Sequence, residues 1–163
     1  MKSRILLAVI FLSPLFLIAQ KNWTPEQCLK IKNITTVQVS PDGSKVLYTV
    51  REAVMTDDRS EYVNQVWLCN TDGSNSFQLT KGDKNSSGPR WSPDGKWIAF
   101  TSSRDSKTNL YILPVGGGEA EKLTDVKTGV GNYDWSRDSK MIAFTMIDAA
   151  DDKEEKEKKA KND

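Results

Sequence analysis

Apolar residues in this chain fall mostly into short runs bounded by polar, turn-forming residues, after one long apolar run at the start. Lys45-Val-Leu-Tyr-Thr-Val50, Lys96-Trp-Ile-Ala-Phe-Thr101 and Lys140-Met-Ile-Ala-Phe-Thr145 are apolar at odd and even positions alike, as are Gln65-Val-Trp-Leu-Cys69 and Asn109-Leu-Tyr-Ile-Leu113. Runs of this length between turn signals read as strands. Successive strand side chains point to opposite faces, so these strands need cover on both sides.

The turn signals repeat. Ser40-Pro41-Asp42-Gly43 recurs as Ser92-Pro93-Asp94-Gly95, and a weaker copy stands at Ser136-Arg137-Asp138-Ser139, giving spacings of 52 and 44 residues. Proline presets φ at the second position of a turn, aspartate caps the turn through its side chain, and glycine accepts positive φ, so each tetrapeptide is a hairpin corner. Trp91-Ser-Pro-Asp-Gly-Lys-Trp-Ile-Ala-Phe100 aligns without a gap on Trp135-Ser-Arg-Asp-Ser-Lys-Met-Ile-Ala-Phe144, and Leu79-Thr80 recurs as Leu123-Thr124. Asp72-Gly73-Ser74 and Gly116-Gly117-Gly118 read as further hairpin turns. The longer first unit is expected to carry its extra residues as an enlarged polar loop near Met55 to Glu61.

A period in the forties with strand content is that of a β-propeller blade. The expected fold is all-β: an incomplete propeller of antiparallel four-stranded blades with Ser-Pro-Asp-Gly corners. The expected units are a leader over 20–33 with a short helical turn near Pro25 to Ile31, blade one over 34–80, blade two over 81–124, and the start of blade three over 125–148. Propellers close with at least four blades, so the strand from Met141 to Phe144 and the first blade are expected to lack cover on one face. Trp91 and Trp135, just before the corners, are expected in the core shared between blades.

At the amino end, Lys2 and Arg4 precede an apolar run from Ile5 to Ile18, and Ala19 then meets Gln20-Lys21-Asn22. This is the pattern of a secretory signal peptide over 1–19, cleaved after Ala19, with export to the periplasm or the exterior as its consequence. Neither Cys28 nor Cys69 follows the run closely enough for lipidation, so no stable membrane anchor is expected. An oxidising compartment permits a Cys28–Cys69 disulfide, while the apolar setting of Cys69 also suits a small buried thiol. At the other end, 149–163 is a charged tail or insertion that cannot enter a core.

Composition narrows the chemistry. With 23 Lys+Arg against 22 Asp+Glu the net charge is +1, which does not suit a nucleic-acid binder. No histidine is present, so neither a Ser-His-Asp nor a Cys-His triad can be built from this chain alone. The 70–75 segment has its glycine at the fourth place of a would-be calcium loop and not the sixth. Asp42, Asp94 and Asp138 occupy the same place in separate repeats, which makes them structural capping residues and not an acid/base pair. No residue is assigned a catalytic, cofactor-binding or metal role, and no cofactor is expected.

The opening Trp23-Thr-Pro-Glu-Gln-Cys-Leu-Lys-Ile-Lys-Asn33, the corner at Val39 to Gly43, the Trp91 to Phe100 string and the late Lys/Glu-rich segment carry a resemblance. The chain resembles the N-terminal propeller of secreted prolyl oligopeptidase family serine peptidases, in the acylaminoacyl-peptidase and dipeptidyl-peptidase branch. The resemblance implies an α/β-hydrolase domain beyond Asp163 that carries Ser, Asp and His, with peptides as substrates of the intact protein. It implies that the propeller gates entry to that site, and that this chain alone is not an enzyme. The Ser-Pro-Asp-Gly corner is shared with TolB-type periplasmic propellers, which leaves a protein-binding module as the alternative. TolB-like proteins place an α/β domain before the propeller, whereas here the first blade begins within about a dozen residues of the expected mature start.

Overall fold

The computed structural model describes residues 23–148. The expected signal peptide over 1–19 and the charged segment over 149–163 lie outside the described residues. A five-residue helix, α1 (Pro25–Leu29), opens the described chain. Thr24 caps it reciprocally: its Oγ accepts from the Gln27 amide at 3.3 Å, and its own amide donates to Gln27 Oε1 at 3.2 Å.

Ten strands follow. The first sheet runs β1 (Asn33–Val39), β2 (Lys45–Thr56), β3 (Arg59–Asn70), β4 (Phe77–Gln78), in sequence order and antiparallel throughout. The second repeats it with β5 (Ser86–Trp91), β6 (Trp97–Asp105), β7 (Lys107–Pro114) and β8 (Glu121–Lys122). A third sheet holds β9 (Val130–Trp135) and β10 (Ile142–Met146). The first two sheets have the four-stranded antiparallel form of propeller blades, and the third has two strands among the described residues.

The extra residues of the first unit do not form the expected polar loop. They lengthen the β2–β3 hairpin, whose ladder runs unbroken from Lys45↔Asn70 to Thr56↔Arg59, with only Asp57 and Asp58 in the turn. The matching hairpin of the second sheet, closed at its base by Trp97↔Pro114, is shorter and turns at Ser106. Backbone pairing overrides the polar side chains here, because a strand exposed on both faces tolerates Thr, Asp, Arg and Ser as a loop does.

The two-sided strands are explained by stacking. On one face of the second sheet, Trp91, Ile98, Phe100, Tyr111 and Leu113 pack against Leu47, Val66 and Leu68 of the first. On its other face, Ala99, Leu110 and Ile112 meet Val130, Tyr133, Trp135 and Ile142 of the third. Full burial of each large apolar side chain contributes about 1.5–3 kcal/mol, so these two layers hold the sheets together. Trp91 is buried as expected; Trp135 is only half-buried.

The repeat also shows which faces lack a partner. One repeat earlier, the five residues that pack from the second sheet onto the first become Val39, Val46, Tyr48, Trp67 and Cys69, all half-buried or exposed. Tyr48 and Trp67 stack at 6.3 Å between centroids, as their equivalents Phe100 and Tyr111 do at 5.8 Å, yet only the second pair is buried. On the third sheet Phe144 and Met146 are exposed, as is Met141 just before β10, while Ile142 is covered by the Val130–Tyr133 cluster. Among the described residues the expected open faces are therefore present, with Ile142 the exception.

Candidate functional site

The three corners are built alike. Ser40 Oγ donates to Asp42 Oδ1 at 2.6 Å, and the same carboxylate accepts from the Ser44 amide at 3.1 Å and the Ser44 hydroxyl at 2.8 Å. Ser92 with Asp94, and Ser136 with Asp138, repeat the 2.6 Å contact, while the Lys96 and Lys140 amides donate to those carboxylates at 3.1 and 3.2 Å. The serine oxygen closes each corner by accepting from the amide five residues on, Lys45, Trp97 or Met141, at 2.9 Å.

These hydrogen bonds favour the ionised carboxyl. The Ser40 hydroxyl, then the Ser44 amide and hydroxyl, lower Asp42 from 3.8 to about 2, and Asp94 and Asp138 are lowered chiefly by Ser92 and Ser136. A general acid needs its pKa raised toward the working pH, so these groups are suited to capping and not to proton transfer. The corners also touch one another. Pro41 lies 3.7 Å from where a Gly95 side chain would start, and Ser139 Oγ accepts from the Asp94 amide at 2.9 Å. Ser139 holds φ at 61°, taking the backbone place of Gly43 and Gly95 at the cost of the strain they avoid.

Immediately before each corner, the first strands of the sheets are tied together. The Trp91 indole donates to the Gln38 carbonyl at 3.3 Å, joining β5 to β1. The Tyr133 hydroxyl lies 2.6 Å from the Gly88 carbonyl and 2.8 Å from that of Ala99, joining β9 to the second sheet. Burial pushes the Tyr133 phenol well above its ordinary pKa, so it remains a donor.

Gln38, Arg90 and Asp134 occupy one position in the three repeats, each two residues before the corner serine. Arg90 Nη1 lies 3.9 Å from Asp134 Oδ1, with its guanidinium 5.7 Å from the Tyr133 ring centre. An open groove of about 500 Å³ runs beside them, lined by Arg90, Asn132, Tyr133, Asp134, Phe144 and Thr145. It offers both signs of charge, amide and hydroxyl groups and an apolar wall. Its exposed ion pair contributes little to stability.

A second recurrent device escaped the sequence reading. Thr80 Oγ accepts from the Val66 amide at 2.9 Å and donates to Gln65 Oε1 at 2.7 Å, while Gln65 Nε2 donates to the Gly82 and Lys84 carbonyls at 2.9 and 3.1 Å. Thr124 and Asn109 repeat the arrangement on Leu110 and Val126. It anchors the segment that crosses from one blade to the next. The recurrence of Leu-Thr, with a carboxamide fifteen residues earlier in both units, was the available signal. Cys28 and Cys69 are both free; Cys28 is exposed, and Cys69 is half-buried on the uncovered face of the first sheet and not within the core.

Known proteins share this arrangement. Residues 60–159 match the family model described as the Tricorn protease N-terminal beta propeller domain. The chain is 35% identical over 139 residues to the uncharacterized peptidase YuxL of Bacillus subtilis (strain 168), which covers 82% of this chain and 21% of that protein. It is 31% identical over 122 residues to dipeptidyl-peptidase 5 of Porphyromonas endodontalis, covering 75% of this chain and 17% of that one. Among solved structures, the putative TolB of Agrobacterium tumefaciens superposes with a TM-score of 0.55 at 27% identity, over 70% of this chain and 39% of that chain. The chain thus spans about a fifth of the length of the two peptidases. With its repeated corners, four-stranded antiparallel sheets and family match over more than half its residues, the chain belongs to the Tricorn protease N-terminal beta propeller domain family.

Proposed function

We propose that this chain is part of the substrate-gating propeller of an exported serine peptidase. The observation that carries the reading is the 35% identity to a Bacillus subtilis peptidase across 82% of the chain. In this reading the units 34–80, 81–124 and 125–148 are successive blades, and residues 1–19 direct export to the periplasm or the exterior. Acyl transfer takes place in an α/β-hydrolase domain of the whole protein, which must supply the histidine that this sequence lacks. The first-strand edge with Gln38, Arg90 and Asp134 faces the path of incoming peptides and selects among them by size and charge.

The test uses the whole protein. Hydrolysis of a dipeptide chromogenic substrate and of a longer peptide is measured for the wild type and for an Arg90→Ala/Asp134→Ala variant. Gating predicts that the ratio of the two kcat/KM values changes severalfold while a serine-directed inhibitor still blocks both reactions. An unchanged ratio refutes the role of this edge.

A second reading is a propeller that docks partner proteins, supported by the likeness to the Agrobacterium TolB structure. It predicts a whole protein with no turnover sensitive to a serine-directed inhibitor.

A further inference from the structure

Among the described residues, the lengthened β2–β3 hairpin leaves a bare strand edge. β1 pairs with β2 only as far as Asn33↔Arg51, whereas β2 continues to Thr56. The Ser40 amide donates to the Lys45 carbonyl at 2.8 Å, so the odd-numbered residues of β2 turn their backbone groups toward β1. The ladder with β3 is unbroken to Thr56↔Arg59, and Thr56 and Arg59 flank a two-residue turn as a hydrogen-bonded pair. Both observations leave the N–H and C=O of Ala53 and Met55 on the edge that β1 does not reach.

This edge lacks the usual protection. Ala53-Val54-Met55 carries no charge, proline or bulge, and the Met55 side chain is 55% exposed. Arg59 fastens the other side of the hairpin to Asp83 of the following segment, and the Asn64 amide donates to Asn85 Oδ1 at 2.9 Å. At about 3.3 Å per residue, the four residues added to each strand carry the arm about 13 Å beyond the common part of the blade.

We propose that the Ala53–Met55 edge of β2 pairs antiparallel with the same edge of a second copy of this chain, across a two-fold axis at Val54. The sequence is self-complementary in that register. Ala53 of each copy stands opposite Met55 of the other, and the two pairs form four backbone hydrogen bonds around Val54. Glu52 faces Thr56 and not a second Glu52, while Arg51 keeps Asn33 of its own β1 at this edge, so like charges do not meet across the axis. A two-fold contact is closed and does not propagate into fibres. Contact over so few residues makes a weak dimer that depends on concentration.

The experiment is sedimentation equilibrium of the full chain over a wide concentration range. Met55→Pro removes an edge donor that the β2–β3 ladder does not use, and circular dichroism checks that the sheet is retained. The dimer dissociation constant should rise by about tenfold or more, since one lost edge contact of about 1.4 kcal/mol is tenfold. Val54→Glu, which sets two like charges opposite each other at the two-fold axis, should also weaken the dimer. A monomeric wild type at the highest concentration overturns the proposal. So does a dimer indifferent to Met55→Pro, or one dispersed only by changes at Val39 and Trp67, because association then belongs to the open sheet face.

Discussion

The indole of Trp91 on β5 donates to the backbone carbonyl of Gln38 on β1 at 3.3 Å, so one side chain both fills the layer between two blades and hydrogen-bonds across it. Its repeat equivalent Trp135 has a buried indole N–H with no acceptor among the described residues. The two tryptophans should respond differently to substitution. Trp91→Phe removes a hydrogen bond and should cost about 1 kcal/mol beyond its change in volume, whereas Trp135→Phe should lack that loss. Trp91→Ala, which opens a cavity between the sheets, should cost about 3–5 kcal/mol. Urea denaturation of the four proteins, wild type included, measures this; equal effects of the two phenylalanines contradict it.

The Thr80–Gln65 lock gives a second expectation. Thr80→Val keeps the side-chain shape but strands the buried Val66 amide and Gln65 Oε1, so it should destabilise by about 1–3 kcal/mol. Hydrogen exchange at the Val66 amide should accelerate more than at Leu68, whose ladder is untouched. A uniform change in exchange indicates a global effect and not loss of this lock.

Gly95 holds φ at 70° beside Pro41, and Gly43 holds 75° with open space around it. Alanine at either position meets ordinary contact or none, so the cost arises in the backbone, about 1–2 kcal/mol for each. Asparagine, which tolerates this region, should cost less at both. Thermal melting would disprove this if Gly95→Ala were far worse than Gly43→Ala, because crowding by Pro41 would then dominate.

Acid should loosen the corners. Asp42, Asp94 and Asp138 all have folded pKa values below the ordinary 3.8, with Asp42 near 2. A lowered carboxyl contributes stability that is present above its unfolded pKa and is lost as pH falls through the folded value. The contribution is therefore intact above about pH 4 and disappears toward pH 2. Melting temperature against pH should fall less steeply over that interval in an Asp42→Asn/Asp94→Asn/Asp138→Asn variant, which starts lower at neutral pH. Parallel curves for variant and wild type would remove the corners from the acid response.

The short-range features of this chain were legible in its sequence because they depend on neighbours along the backbone. Proline at Pro41 and Pro93, aspartate at Asp42 and Asp94, and glycine at Gly43 and Gly95 define their corners through local φ preference and hydrogen bonds spanning two residues. The two-faced runs at Lys96 to Thr101 and Asn109 to Leu113 announced a strand covered on both sides, and their recurrence announced the blades. Tertiary structure decided what depends on partners distant in sequence. The stretch from Met55 to Glu61 looked like a polar loop, yet ladder pairing makes it the tip of a long hairpin, since side-chain polarity does not reveal backbone pairing. Phe100 and Tyr48 hold one position in the repeat, but among the described residues only Phe100 has a neighbouring sheet against its face. The meeting of Arg90 with Asp134, and of Tyr133 with the carbonyls of Gly88 and Ala99, follows from how the sheets stack, which local propensity does not encode.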